Sequence, residues 1–152
     1  MELTSRAFAE GGEIPHQYSA AGENDVPPLE IQGAPDGSES LVLIFEDIDS
    51  PIGPITHWLV WNLPPETEYL DAIHVPDPAR IGLNGYGKAG YTGPAPPAGA
   101  HHYRFRLFAL DTTLDLEAGA WRDQVEQAMD GHVLAEAALT GSFSHDEAEG
   151  SS

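Results

Sequence analysis

Glycine and proline place the strongest limit on what this chain can fold into. The sequence contains 16 glycines and 13 prolines in 152 residues. Both residue types favour turns and interrupt helices, so they exclude an architecture of long helices. We therefore predict a mainly β fold of short strands joined by tight loops. The length suits one hydrophobic core, and we predict a single domain over residues 1–144 followed by an acidic, flexible tail over residues 145–152.

Charge excludes several classes of partner. The chain has 25 acidic and 6 basic residues, which gives a formal net charge of -19, and Lys88 is its only lysine. Nucleic-acid binding needs a basic surface, which this sequence does not supply. The longest apolar run, from Leu41 to Phe45, is too short to cross a membrane. We predict a cytoplasmic protein with no nucleic-acid partner and no stable membrane insertion.

The same acidity is typical of a halophilic protein. Like charges destabilise a compact state in dilute buffer, and concentrated salt screens their repulsion. An ordinary acidic mesophilic protein is the alternative interpretation. The absence of cysteine excludes disulfides and thiolate chemistry, and we predict no cofactor.

Two segments have the residue pattern of strands, and each has ionisable residues at or near one end. SLVLIFEDID is apolar enough for a strand buried on both faces, and it ends in Asp47 and Asp49. In ITHWLVWNLP, strict alternation would place His57 on the same face as Leu59 and Trp61.

A third strand and one helix follow. In HHYRFRLFALD, alternation places His101 and Tyr103 on one face and His102 on the other. AWRDQVEQAMDG predicts an amphipathic helix that ends near Gly131, and its apolar face consists of Trp121, Val125, Ala128 and Met129. The next segment, HVLAEAALTGSF, has alanines that favour a helix, whereas Gly141 and Phe143 suit a strand.

The ionisable residues at these strand ends have three interpretations. The aspartates can cap a turn beside ordinary half-buried histidines, which is the usual structural role of such residues. Carboxylate and imidazole can instead bind a divalent metal, although their spacing matches no known ligand signature. In the third interpretation each imidazole donates one ring N–H to an aspartate behind it. That contact favours the protonated ring and leaves the other N–H to bind an anion such as phosphate.

The segment TGPAPPAG, which precedes His101, is unusually stiff. Prolines fix φ and reduce the entropy that a loop loses on ordering, while Gly93 and Gly99 permit turns and close approach of a ligand. We predict that this segment is a rigid pocket wall that holds His101 in place. A proline-rich ligand for another protein is the weaker alternative, because the segment lies between two strands.

Several motifs, in order along the chain, resemble the phosphatidylethanolamine-binding protein family, in its prokaryotic Raf kinase inhibitor-like branch. EDIDSP is similar to that family's Asp-Pro-Asp-x-Pro motif, THWLVWNLP to its His-bearing strand, and YTGPAPPAGAHHYRF to its Gly-x-Pro-Pro loop and His-x-Tyr strand. The likeness continues through IPHQYSAAGEN, VPPLEIQG, NGYGKAGY and MDGHVLAEAALTG, almost to residue 144.

The resemblance implies two antiparallel sheets in a Greek-key arrangement with a few short helices, and it favours a strand for HVLAEAALTGSF. It also implies a small anion-binding cavity. By motif, the cavity residues are Asp47, Asp49, His57, His101 and Tyr103, with Gly93, Pro94, Pro96 and Pro97 on its wall.

This sequence departs from the family pattern at three positions. Ile48 stands where the motif has proline, His102 replaces an arginine, and Ile31 replaces a frequent tryptophan. The loss of a fixed positive charge at His102 implies weaker or more pH-dependent anion binding. The resemblance leaves open whether the Ser50–Pro51 bond is cis.

Three functions follow from the residues and the resemblance. The first is a binding protein for phosphate or a phospholipid headgroup, and the second is an inhibitor of a protein kinase or peptidase. The third, a metal-assisted hydrolase, is disfavoured because Ser50, the nearest nucleophile candidate, has no evident base; we therefore predict that the protein is not an enzyme. A homodimer is plausible from prokaryotic relatives, but the net charge opposes association.

Overall fold

The structure is a computed structural model, and it describes residues 1–71 and 75–145. Its strands form two antiparallel sheets, which confirms the prediction of a mainly β fold. The smaller sheet has the order β1 (Glu2–Thr4), β2 (Leu29–Gln32) and β5 (Tyr69–Leu70). The larger sheet has the order β6 (Arg80–Ile81), β4 (Ile55–Leu63), β3 (Ser40–Asp47), β7 (Ala100–Leu110) and β8 (Val133–Ser144).

The larger sheet has a Greek-key order. Strands β3, β4 and β6 lie side by side, and β7 returns through a long connection to pair with β3 on its other side. This return brings the end of β3 next to the start of β7, where Asp47 lies opposite Tyr103. Residues that are distant in the sequence therefore meet at one end of the sheet.

Strand β3 is the centre of the molecule, and all eight of its residues are buried. One face, which includes Leu43 and Phe45, packs with residues of the smaller sheet such as Ile31. The other face, which includes Val42 and Ile44, lies in a second apolar cluster with the helix. A strand covered on both faces needs an almost continuous apolar run, which is the pattern that its sequence shows.

Helix α1 (Arg122–Met129) confirms the predicted amphipathic helix but corrects one residue of its apolar face. Val125 and Met129 are buried against the larger sheet, and Gly131 adopts a positive φ of 81° after the helix ends. The prediction that Trp121 lies on the buried face is wrong, because this residue is 49% exposed. The reason is that Trp121 has extended backbone at the N-cap, before the helical periodicity begins.

The predicted face of His57 is also wrong. The register between β3 and β4 shifts between Phe45 and Glu46, so the paired positions move from Trp58 to Thr56 and His57 has no counterpart on β3. Such a β-bulge breaks the alternation of side chains. His57 consequently packs beside Phe45, in the cluster that contains Trp58, and not on the face of Leu59 and Trp61.

Other expectations have mixed outcomes. The segment Val133–Ser144 is strand β8, as the resemblance implied. Among the described residues, the bond Asp77–Pro78 is cis and the bond Ser50–Pro51 is trans. Of the predicted tail, residues 146–152 lie outside the described residues. Within the described ranges, the structure has no helix of the length and apolarity that a membrane span requires.

Candidate functional site

The core of the candidate site is a buried pair formed by Asp47 and His101. Asp47 is the last residue of β3, and His101 lies near the start of β7. Nδ1 of His101 lies 2.8 Å from Oδ2 of Asp47, and both side chains are buried. Because a carboxylate accepts, Nδ1 is the nitrogen that donates, and Nε2 is left for another partner. One interpretation of the sequence gave this arrangement to each histidine, and His101 has it.

His57 is held differently from the predicted arrangement. Its Nδ1 lies 2.6 Å from the carbonyl oxygen of Thr92, which can only accept, so Nδ1 carries the proton. A backbone carbonyl, and not an aspartate, therefore fixes the tautomer. The residue is 1% exposed. Its Nε2 is buried and has no hydrogen-bond partner among the described residues.

Burial lowers the pKa of His57 below its ordinary value of 6.5. The Thr92 carbonyl, the negative charge of Asp47 and the Gly93 backbone act in the opposite direction, but burial is the largest cause. At neutral pH the ring is therefore uncharged, and Nε2 presents a lone pair.

Asn84, which sequence reasoning missed, positions Thr92. Its side chain is buried, and its Nδ2 donates to the Thr92 hydroxyl (3.0 Å) and to the Gly90 carbonyl (3.1 Å). Its Oδ1 accepts the backbone N–H groups of Tyr86 (2.9 Å) and Lys88 (3.2 Å). The Asn-Gly sequence marked a turn but gave no sign that the asparagine would be buried beneath the loop.

Three aromatic rings surround His57. Phe45 and Tyr86 make edge contacts with ring centroids at 5.8 Å and 5.5 Å, and Tyr103 lies tilted at 5.4 Å. Burial, followed by the charge of Asp47, raises the pKa of both Tyr86 and Tyr103, so both keep their hydroxyl protons. Tyr86 is 47% exposed while the His57 against it is buried. It therefore covers His57 from the solvent.

The glycine-proline segment, which the sequence predicts to be a pocket wall, is partly buried and is held by hydrogen bonds. Gly93, Pro94 and Pro96 are buried, whereas Pro97 is exposed. The Gly93 N–H donates to Oδ1 of Asn24 (2.7 Å), and the Pro94 carbonyl accepts from Ala20 N–H (3.1 Å).

A side chain at Gly93 has no room, because its Cβ would overlap the Tyr18 carbonyl oxygen. The neighbouring Tyr91 hydroxyl donates to that same carbonyl (2.7 Å). Hydrogen bonds to residues 18–24 thus supplement the restricted φ of proline.

Asp49 does not support either buried histidine. Its Oδ2 accepts from the backbone N–H of His102 (2.8 Å) and from the ring Nδ1 of His102 (2.6 Å), and both residues are exposed. These two hydrogen bonds, the ring contact being the larger cause, lower the pKa of Asp49. Strand β3 ends at Asp47, so Asp49 lies beyond the strand. Ile48, in the place of the family's proline, uses its N–H to donate to the His102 carbonyl (3.0 Å).

Arginine charges lie on the opposite face of the sheet and are already paired. Glu46, which is 1% exposed, has Arg104 and Arg122 within 2.7 Å of its carboxylate oxygens. Arg106 pairs mainly with Glu136 at 2.9 Å. These three arginines therefore do not serve as donors at the candidate site.

Metal ligands were one interpretation of the aspartates and histidines. In residues 1–71 and 75–145, no group of three or more His, Asp or Glu side chains has a geometry that would hold a metal ion. His57 uses its Nδ1 on Thr92, and Asp49 lies with His102 on the outside of the sheet. The described geometry brings Asp47, His57, His101 and Tyr103 together, and the ring centroid of His101 lies 6.4 Å from that of Tyr103.

Comparison with known proteins shows which family and which folds this chain is similar to. Residues 4–144 match the sequence profile of the phosphatidylethanolamine-binding protein family. A UPF0098 protein of Methanothermobacter thermautotrophicus is 47% identical over 148 residues, which cover 94% of this chain and 98% of the relative.

Two solved structures are similar to this one. CT736, a phosphatidylethanolamine-binding protein homolog of Chlamydia trachomatis, superposes with a TM-score of 0.88 and 41% identity, covering 93% of this chain and 95% of CT736. YbcL of Escherichia coli, described as a new member of the mammalian PEBP family, superposes with a TM-score of 0.88 and 28% identity, covering 94% and 97%.

Proposed function

The chain belongs to the phosphatidylethanolamine-binding protein family, and from this premise we propose that it binds a small anion at the site formed by Asp47, His57, His101 and Tyr103. Phosphate and the phosphate of a lipid headgroup are the ligands that we infer. The name of the family supports a phosphorylated headgroup as one ligand of this fold.

One observation carries the proposal: Nε2 of His57 is buried and has no partner among the described residues. A buried polar atom without a hydrogen bond costs about 1–3 kcal/mol, so a native fold rarely keeps one without a reason. A ligand that contacts Nε2 would remove that cost. Access to Nε2 requires Tyr86, which packs against the ring, to move aside.

His101 is the residue whose ring, when it is protonated, supplies a positively charged donor. With Nδ1 donating to Asp47, a protonated His101 directs Nε2–H at a ligand, and the carboxylate balances the charge of the ring. Such a paired donor gives a local attraction for an anion in a chain of net charge -19.

Titration calorimetry with inorganic phosphate and glycerophosphoethanolamine tests the proposal. We expect His101→Ala to weaken binding at least about tenfold, the change that a lost charge-assisted hydrogen bond produces. His132→Ala is the matched control, because Nδ1 of His132 also pairs with an aspartate, Asp111, at 2.7 Å on an exposed surface. Equal binding by His101→Ala and the parent protein contradicts the assignment.

A second candidate is inhibition of a protein kinase or peptidase, and one feature favours it. Ile52, in the loop that follows Asp49, is 88% exposed. An exposed apolar loop tip suits insertion into a cleft. Capture of a specific kinase or peptidase from native high-salt lysate, lost in Ile52→Ser, would support this role; capture that Ile52→Ser leaves unchanged argues against it.

We propose a binding protein and not an enzyme. Ser50, the nearest nucleophile candidate, uses its hydroxyl oxygen to accept from the Ile52 N–H (3.4 Å), which is a role in the turn. Metal analysis of the purified protein tests the hydrolase alternative, because a stoichiometric divalent ion would support it.

A further inference from the structure

We propose that the site selects an oxyanion that carries its own proton, such as dihydrogen phosphate or the monoanion of a phosphate monoester, over a fully deprotonated anion of the same shape. The inference rests on the proposed anion-binding function and specifies which protonation state of the ligand the site accepts.

The first reason is the tautomer of His57. Its Nδ1–H is already used, because the Thr92 carbonyl 2.6 Å away can only accept. The neutral ring therefore offers an acceptor at Nε2 and no donor. A ligand oxygen that bears a hydrogen satisfies this buried lone pair, whereas a bare oxyanion places its own lone pairs against it.

His101, which also lies near Tyr103, can offer a donor where His57 offers an acceptor. Its Nδ1–H is directed at Asp47, so the protonated ring presents Nε2–H as a donor. The centroids of His57 and His101 lie 5.4 Å and 6.4 Å from that of Tyr103. One acceptor and one charged donor around the same tyrosine match a ligand with an O–H on one side and an O⁻ on the other.

The charges that face His57 also disfavour a dianion. The groups around it are Phe45 and Asp47 from β3, Tyr103 from β7, and Tyr86, Thr92 and Gly93 from the loop between β6 and β7. Asp47 is the charged member of this set, and both tyrosines keep their protons. A second negative charge on the ligand would lie near Asp47 in a poorly solvated place.

A deprotonated anion can bind if His57 is protonated at the same time. Burial opposes that protonation in the free protein. Binding of such an anion must then take up a proton from solvent, while an anion that brings its own proton need not.

Sulfate and phosphate separate these cases, because sulfate has the same tetrahedral shape and stays fully deprotonated near neutral pH, whereas phosphate monoesters have a second pKa of about 6. Titration calorimetry at about pH 6, in two buffers of different ionisation enthalpy, measures affinity and proton uptake together. We expect phosphate to bind at least about tenfold more tightly than sulfate. We also expect sulfate to take up about one proton more than phosphate does.

Equal affinities, with sulfate taking up no more protons than phosphate, overturn this inference while leaving the anion site intact. No binding of either anion to protein that is folded by circular dichroism overturns the proposed function itself. The wild-type comparison needs no variant and so does not depend on whether a variant folds.

His57→Gln provides a second test. The glutamine amide carries an N–H that needs no protonation, so the preference for phosphate over sulfate should fall to less than about threefold. His132→Gln, in an exposed pair at the end of β3 opposite to Asp47, should keep the wild-type ratio. A wild-type ratio in His57→Gln contradicts the role given to Nε2.

Soluble phosphate monoesters and phosphatidic acid share this chemistry. Glycerol phosphate in calorimetry, and sedimentation with vesicles of phosphatidic acid in zwitterionic lipid, distinguish the two sources. The net charge of -19 leads us to expect binding of the soluble ester without sedimentation. Dimethyl phosphate, a diester that has no O–H at neutral pH, should behave like sulfate; equal binding of the monoester and the diester with equal proton uptake contradicts the inference.

Discussion

Asp47 and His101 lie 54 positions apart in the sequence and share a buried hydrogen bond of 2.8 Å between Oδ2 and Nδ1. The contact exists because β7 returns to pair with β3, which places both residues at one end of the larger sheet. It orients His101 so that Nε2 is available to a ligand. The anion binding that we propose depends on this pair.

Asp47→Asn tests the orienting role. The amide can still contact Nδ1 but carries no charge to balance a protonated His101, so we expect phosphate affinity to fall by about tenfold or more. Calorimetry measures the change. The control is Asp111→Asn, which alters the exposed His132 pair and should leave affinity within about twofold. Unchanged affinity in Asp47→Asn would show that the carboxylate has no part in binding.

Tyr86→Ala tests the cover over His57. Burial is the largest cause of the lowered pKa of His57, and the Tyr86 ring packs against it. Removing that ring admits water, so the pKa of His57 should rise toward 6.5. An NMR titration of the histidine ring protons measures it. Tyr69→Ala, on the smaller sheet, is the control, and a pKa of His57 that stays the same in Tyr86→Ala refutes the covering role.

How much of this site the sequence could predict depends on the kind of contact. Asp47, His101 and Tyr103 follow from strand alternation and motif order, and the structure brings them together. The bulge at His57 could not be predicted, because a register shift between β3 and β4 leaves no mark in the apolar pattern of either strand. The hydrogen bond from His57 to the Thr92 carbonyl could not be predicted either, because every residue has a backbone carbonyl and the sequence does not show which one His57 contacts.

The fold was more predictable than the site, because the pattern of buried apolar residues extends over a whole strand or helix. The apolar run of β3 and the spacing of Val125 and Met129 extend over whole elements. The pairing of Asp49 with His102 instead depends on where β3 ends, to within one residue. The halophilic origin, the single domain and the flexible tail stay predictions.

The stability of the protein should depend on pH through His57. The unfolded chain binds a proton at this residue near its ordinary pKa of 6.5, whereas the folded protein binds it at lower pH. Between the two values the unfolded state holds more protons, so the free energy of unfolding falls as pH drops below 6.5, by up to about 1.4 kcal/mol per pH unit.

Chemical denaturation across this range measures that slope. His57→Gln should have a shallower slope, because it no longer contributes a titrating group. His132→Gln should resemble the parent protein. An identical slope in His57→Gln and the parent protein would mean that His57 is not held neutral in the fold.

Glu46→Gln should be strongly destabilising. Its carboxylate is buried between Arg104 and Arg122, each at 2.7 Å, and the second of these arginines belongs to α1. Removing the charge leaves Arg104 without its carboxylate partner and leaves Arg122 paired with the exposed Glu126, and we expect a loss of about 3 kcal/mol in the free energy of unfolding. Glu126→Gln is the control, since Glu126 pairs with the same Arg122 from an exposed position and should cost less than about 1 kcal/mol. Equal effects of the two substitutions would contradict the structural role of Glu46.

The most direct measurement for the anion site is a phosphate titration of protein labelled with ¹⁵N in its histidine rings. The account predicts that the Nε2 resonances of His57 and His101 shift together and saturate with one affinity, while the ring resonances of the exposed His132 stay in place. Saturating phosphate that leaves both His57 and His101 unshifted, or that shifts His132 to the same extent, would contradict it.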